Sequence, residues 1–147
     1  IGSGYLPAAL STNLYLAGLS IYGVTNTYTL STSWTVITNF STVSLEGFTV
    51  THSNMVTSTS GYYMVECHLA GTGDAASPQY WFALHTNSVL CKGVAWRRDT
   101  SSTMAESGSA AMSIWLPSDC NLDMEMRSDA ANSYSILYCQ FDASSIH

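Results

Sequence analysis

The chain has 147 residues and a formal net charge of -6, with 46% hydrophobic residues and only 10% charged ones. That is enough chain for one domain with its own core, and so many aromatics at so modest a net charge exclude a disordered polypeptide. Lys92, Arg97, Arg98 and Arg127 are the only basic residues, too few for the phosphate footprint of a nucleic-acid binder or a genome-holding shell arm, or for docking on an anionic membrane.

Residues 1–33 read as an amino-terminal arm with the first strands, and 34–147 as the main domain. Gly2, Gly4 and Pro7 break up the start, and a short helix over Pro7–Leu16 would carry proline in its first turn. Tyr15, Leu16, Leu19, Ile21 and Tyr22 are apolar and spaced by glycine and serine. Such a segment at a chain end either docks on a partner or covers the open end of its own domain. The first reading makes these five residues the docking candidates. The chain starts at Ile1 with no basic n-region, so no signal peptide is expected. No apolar run reaches the length of a membrane span.

Trp34 to Ile37 and Phe48 to Val50 are strand-like, and Met55–Thr57 is a short strand after a polar turn. From Gly61 to Gly71, Tyr63, Val65, Cys67 and Leu69 alternate with Met64, Glu66 and His68. A period of two puts one set in a core and the other outside, so this stretch reads as a central strand. Thr72 to Gln79 is a loop, with Gly73, Asp74, Ser77 and Pro78 as its turn formers. Tyr80 to Thr86 and Val89 to Arg97 form a hairpin about Asn87-Ser88.

Asp99 to Ser109 is small and polar, a second loop, and Ala110 to Leu116 is a strand. After the turn Pro117-Ser118-Asp119, Cys120, Leu122, Met124 and Met126 alternate with Asn121, Asp123, Glu125 and Arg127. Ser128 to Ser133 is a loop, and Ser135 to Phe141 the last strand. Short strands at regular spacing with turn residues between them, and no helical period, predict an all-β antiparallel sandwich.

Cys67, Cys91, Cys120 and Cys139 sit in alternating apolar patterns without any C-x-x-C pair, so free, buried thiols are expected rather than a zinc ribbon. No G-x-S-x-G elbow is present, and His52, His68, His85 and His147 are scattered. No motif supplies nucleophile, base and orienter together, so no enzyme is expected. The stretch from Asp119 to Asp123 imitates the start of a calcium loop. It fails at position six, which is Met124 rather than glycine, and at position twelve, which is Ala130 rather than glutamate. On a strand Asp119, Asn121, Asp123 and Glu125 form one polar face instead, and no metal or other cofactor is expected. The glutamates offer no spacing that singles out a glycosidase pair. Trp81 and Trp96 are the residues best suited to stack a ligand beside the two polar loops, the alternative being that both are core.

Phe48 to Phe141 resembles the jelly roll of the tumour necrosis factor and complement globular-head superfamily, whose phage versions form capsid decorations and fibre knobs. The resemblance rests on Gly61-Tyr62-Tyr63 in the central strand, Asn87 in a hairpin after an aromatic strand, Leu116-Pro117-Ser118-Asp119 before an alternating strand, and the closing aromatic strand Tyr134 to Phe141. Ser118 and Ser88 depart from it, since the family often has glycine at those places. The resemblance implies a threefold homotrimer, with Tyr62, Tyr80, Tyr134 and Tyr138 as interface candidates. It implies a non-enzymatic protein on the surface of a virion. The first role is a head-stabilising decoration bound to the major capsid protein or another virion protein through the arm. The alternative is a receptor-binding knob that meets a host glycan or protein through its loops. A secreted ligand or lectin is the third class, disfavoured by the missing signal peptide and unpaired cysteines. On a phage protein, the sequon Asn39-Phe40-Ser41 would be chance.

Overall fold

The computed structural model describes residues 16–73, 79–99 and 106–146. Along them run the strands β1 (Leu16–Leu30), β2 (Thr35–Val36), β3 (Ser41–Glu46), β4 (Phe48–Val50), β5 (Met55–Thr57), β6 (Gly61–Gly73), β7 (Gln79–Thr86), β8 (Val89–Asp99), β9 (Glu106–Leu116), β10 (Asn121–Ser128) and β11 (Asn132–Ser145). All pairings are antiparallel, and they build two sheets. The first has the order β3-β1-β11-β6-β9 and the second β4-β5-β10-β7-β8, with β2 continuing the ladder along the β5 side of β10.

The period of two is what folds the sheets against each other. In β6, Tyr63, Val65, Cys67 and Leu69 point inward, as their alternation predicts. Leu19 and Ile21 of β1 and Cys139, Phe141 and Ala143 of β11 extend that inner face. Opposite them lie Tyr80, Phe82 and Leu84 of β7 and Leu122, Met124 and Met126 of β10. Three buried tyrosines keep their hydroxyls paired with carbonyl oxygens: Tyr28 donates to Thr38, Tyr63 to Thr59 and Tyr80 to Ser133. A buried hydroxyl left without a partner would lose the net gain of its burial. Thr57 is likewise buried and accounted for: its hydroxyl donates to the Pro117 carbonyl and accepts the Cys120 N–H.

The turns explain how serine replaces the glycines the resemblance leads one to expect. Asn87 and Ser88 both take positive φ, 49° and 67°, the pattern of a type I′ two-residue hairpin. Asn87 offsets that strain through two bonds to Asn121, its N–H donating to the carbonyl and its Oδ1 accepting the N–H. At the turn after β9 it is Asp119, not Ser118, that takes the left-handed conformation, at φ 57°.

Several expectations change. The boundary at residue 33 cuts through the sandwich, because β1 lies between β3 and β11 and pairs with β11 from Leu16↔Ser144 to Leu30↔Asn132. Residues 16–30 are one long strand and not a detachable arm. The short helix over Pro7–Leu16 lies outside the described residues except for Leu16, which opens β1. Strand β3, rich in serine and threonine, was not anticipated. Its entry is the positive φ of Asn39, and its exit that of Gly47. Three loops shorten at the ends that the structure describes. Thr72 and Gly73 belong to β6 and Gln79 to β7, Asp99 belongs to β8 and Glu106–Ser109 to β9, and Asn132 opens β11. The four cysteines are free, and all but Cys91 are buried.

Gly71 sits where the inner face has no room. A Cβ there would lie 2.5 Å from the Tyr134 ring and would overlap the Ser135 carbonyl oxygen. Gly71→Ala should therefore lower stability by about 1–3 kcal/mol, the usual range for overpacking, read as a lower urea midpoint at unchanged slope. Gly61→Ala, where the nearest atom is 4.0 Å away, is the control and should leave the midpoint nearly unmoved.

Candidate functional site

Two outer faces carry the polar and aromatic groups that the core does not absorb. The first belongs to the five-stranded sheet. Register sets Tyr62 of β6 beside Trp115 of β9, and Tyr22 of β1 beside Tyr138 of β11. Both pairs meet edge to face, at 5.2 Å and 6.1 Å between ring centroids. Tyr62 is 60% exposed, Trp115 54% and Tyr22 82%. Between the aromatic ends lies a polar strip. The Tyr138 hydroxyl donates to Gln140 Oε1, and Gln140 Nε2 donates to Asp142 Oδ2 at 2.7 Å. Burial pushes the Asp142 carboxyl above its ordinary range; the Gln140 bond pulls it down and the Glu66 charge pushes it up. His68 stands 3.9 Å from Glu66, both exposed. A cleft of 320 Å³ opens here between His68, Tyr138, Ser107 and Ser109.

The second face belongs to β7 and β10. The pairing Asp123↔His85, Glu125↔Ala83 and Arg127↔Trp81 brings an acid, a base and a cation onto one side. Asp123 is 8% exposed and His85 4%, and the Glu125 side chain 12%. His85 Nδ1 lies 3.4 Å from Glu125 Oε2 and 3.3 Å from the Ala83 carbonyl oxygen. Asn121 Nδ2 donates to Asp123 Oδ2 at 3.2 Å and itself accepts from Asn54 at Oδ1. Trp34, from the segment leading into β2, covers the histidine edge to face at 4.8 Å. The Arg127 guanidinium lies 4.1 Å from the Trp81 ring and 5.4 Å from that of Trp34. Burial first, then the hydrogen bond and charge of Asp123, raise the Glu125 carboxyl to about 7.

The candidates read from sequence divide between core and surface. Tyr62 and Tyr138 stand on the outer face of the first sheet. Tyr80 and Tyr134 do not: they are 0% and 2% exposed and pack against each other, tilted, at 4.9 Å inside one copy, so neither offers a surface to another chain. Among the docking candidates, Leu19 and Ile21 are core residues and Tyr22 is exposed. Leu16 is half-buried, and Tyr15 lies outside the described residues. Trp81 holds Arg127 rather than a free platform, and the side chain of Trp96 on β8 is outside what is described. His85, one of the scattered histidines, is buried. Sequence reasoning missed Trp34 and Trp115, and it missed that His85 faces Asp123. The alternation of β10 exposed the acidic row, but the partner strand's register was not readable.

No protein-family model and no curated protein sequence matches the chain. Solved structures match it by shape. Eiger TNF from S. frugiperda superposes with a TM-score of 0.65 at 12% identity, over 91% of this chain and 93% of that one. Murine APRIL at pH 5.0 gives 0.61 at 10% identity, and at pH 8.0 gives 0.57 at 11%; each pairing covers 91% of this chain and all of APRIL. The chain therefore has the TNF-like jelly-roll fold, as the sequence resemblance implied.

The raised Glu125 pKa has a definite sign. A carboxyl easier to protonate when folded than when unfolded favours the folded state below its unfolded pKa, near 4.5, and that advantage is lost as pH rises through about 7. In chelator, wild type and Glu125→Gln should melt alike near pH 4. Wild type should fall progressively below the variant between pH 5 and 8, on the order of the unfolded-to-folded window. Thermal melts at constant ionic strength check this.

Proposed function

We propose that the chain is a non-enzymatic surface protein that self-associates as a threefold homotrimer through the outer face of its five-stranded sheet. The observation that carries the reading is the pair of aromatic contacts, Tyr62 with Trp115 and Tyr22 with Tyr138, standing in water on that face. Val43 is exposed on the same side. Apolar groups of this size gathered on one sheet face are uncommon on a monomer, and each buried Å² would contribute about 25 cal/mol. Trimers are the usual state of TNF-like folds, which supports self-association in a fold shared with Eiger and APRIL. The non-enzymatic reading has its support in the fold shared with TNF-family proteins.

The sequence resemblance extends the proposal to the exterior of a phage particle, as a decoration of the head bound to its major capsid protein. With Leu19 and Ile21 in the core, that contact falls to residues before Leu16 and to surface outside the trimer face.

Light scattering should give a particle of about three times 15.8 kDa. Tyr62→Asp combined with Trp115→Asp should shift it to the single-chain mass while leaving the β-rich circular dichroism intact. A wild-type species stable at 15.8 kDa at micromolar concentration would refute the trimer. Adding purified protein to bare phage heads should raise their melting temperature. Binding to host cells with none to heads would move the role to a receptor-binding knob.

A further inference from the structure

We propose that His85, Asp123 and Glu125 form a binding site for one divalent transition cation, of the Zn²⁺ or Mn²⁺ type, on the outer face of β7 and β10. The inference is independent of the trimer, since it uses neither the five-stranded sheet nor a second copy.

The donor atoms of the three residues all lie within 4.8 Å of one another. A tetrahedral cation with bonds of about 2.0–2.2 Å spaces its ligands by about 3.3–3.6 Å. The 3.4 Å between His85 Nδ1 and Glu125 Oε2 already has that separation, and an Asp123 oxygen stands within 4.8 Å of both other donors. An acidic pair alone would argue nothing. Here a second observation is independent of it: Asp123 Oδ1 is fully buried and no N–H or hydroxyl donor of the described residues reaches it; the Glu125 carboxyl bonds to Asp123 only in its protonated form, which a bound cation displaces. An orphaned carboxylate oxygen of this kind costs more than most native structures tolerate. Its other oxygen, Oδ2, is held by Asn121, which is held in turn by Asn54. That chain orients the carboxylate and leaves Oδ1 for a ligand, as outer-shell amides do around bound metals.

The charge balance points the same way. Two carboxylates two residues apart on one strand face, both largely withdrawn from water, repel each other. Among the described residues the nearby cation does not neutralise them, since Arg127 stacks on Trp81 and Trp34 and makes no ion pair with either acid. A divalent ion would neutralise both. The imidazole nitrogen selects for borderline metals over calcium, which prefers six to eight oxygens. Three protein ligands leave one position of a tetrahedral cation for water.

The test uses the full chain, stripped with chelator and then titrated with Zn²⁺, Mn²⁺ or Ca²⁺ by calorimetry and by thermal melting. One equivalent of Zn²⁺ or Mn²⁺ should bind per chain and raise the melting temperature by several degrees, with Ca²⁺ at least tenfold weaker. Asp123→Asn and His85→Gln should each abolish the rise. Asp123→Asn removes a buried charge, so its metal-free melting temperature should equal or exceed wild type, which separates loss of a ligand from loss of the fold. His68→Gln, on the other face, should bind as wild type does. No stoichiometric binding at millimolar metal, with wild type folded, would overturn the proposal and leave a proton shared between the acids as the occupant. Binding that survives both Asp123→Asn and His85→Gln would overturn it too, by placing the ion elsewhere.

Discussion

The pairing of β1 with β11 joins the two ends of the described chain, and the rest of the sandwich depends on its register. Leu16 lies opposite Ser144 and Leu30 opposite Asn132, with an irregularity between Tyr22 and Asn26. A slip of one residue would turn Leu19 and Ile21 outward and Tyr22 inward, exchanging the core face for the solvent face. That single register therefore fixes both sides of the first sheet. Inside, it brings Leu19 and Ile21 beside Phe141 and Cys139; outside, it brings Tyr22 onto Tyr138. Closing a strand pair across so much sequence is expensive in chain entropy and slow to form. The apolar inner face that forms with it offsets that cost.

The two sheets treat their outer faces differently. The first leaves aromatic pairs in water around a strip of hydrogen-bonded polar groups from Tyr138 to Asp142. The second holds Asp123, Glu125 and His85 largely out of water, with Trp34 packed on the histidine. In a protein with 10% charged residues, carboxylates withdrawn from water do not serve solubility, because surface charges do so only when hydrated. The wet aromatic face is suited to contact with a large partner, and the covered polar face to a small one.

Much of the fold was legible because strands with one buried face write their period into sequence. Tyr63, Val65, Cys67 and Leu69 fall inside as their alternation requires, and so do Leu122, Met124 and Met126. Tyr80 and Tyr134 show where the same reasoning stops. A tyrosine on an alternating strand reads the same whether its hydroxyl reaches water or a carbonyl inside the core, and Tyr80 bonds to Ser133. Strand β3 was hidden for a related reason: serine and threonine carry little apolar period, and its pairing with β1 supplies what its sequence does not announce. The length of β1, Leu16–Leu30, was hidden because glycine and serine between apolar residues suggest a loose segment. In β1, Gly18 lies so close to Asp142 that a Cβ would come within 2.6 Å of its Oδ1. That glycine marks close approach within a sheet and not freedom at a chain end.

The polar cluster was out of reach for a different reason. The acidic row of β10 was visible as a row, but what gives it chemistry is the strand beside it. Asp123 acquires His85 through the β7 register, and β7 meets β10 only after the chain has passed through β8 and β9. The same Asn87–Asn121 bonds that hold the hairpin turn against β10 fix how far along β7 the histidine stands. A turn built from asparagine and serine, where glycine was expected, thus does more than reverse the chain. It anchors β7 to β10 two residues from both His85 and Asp123, and so sets the spacing on which any ligand between them would depend.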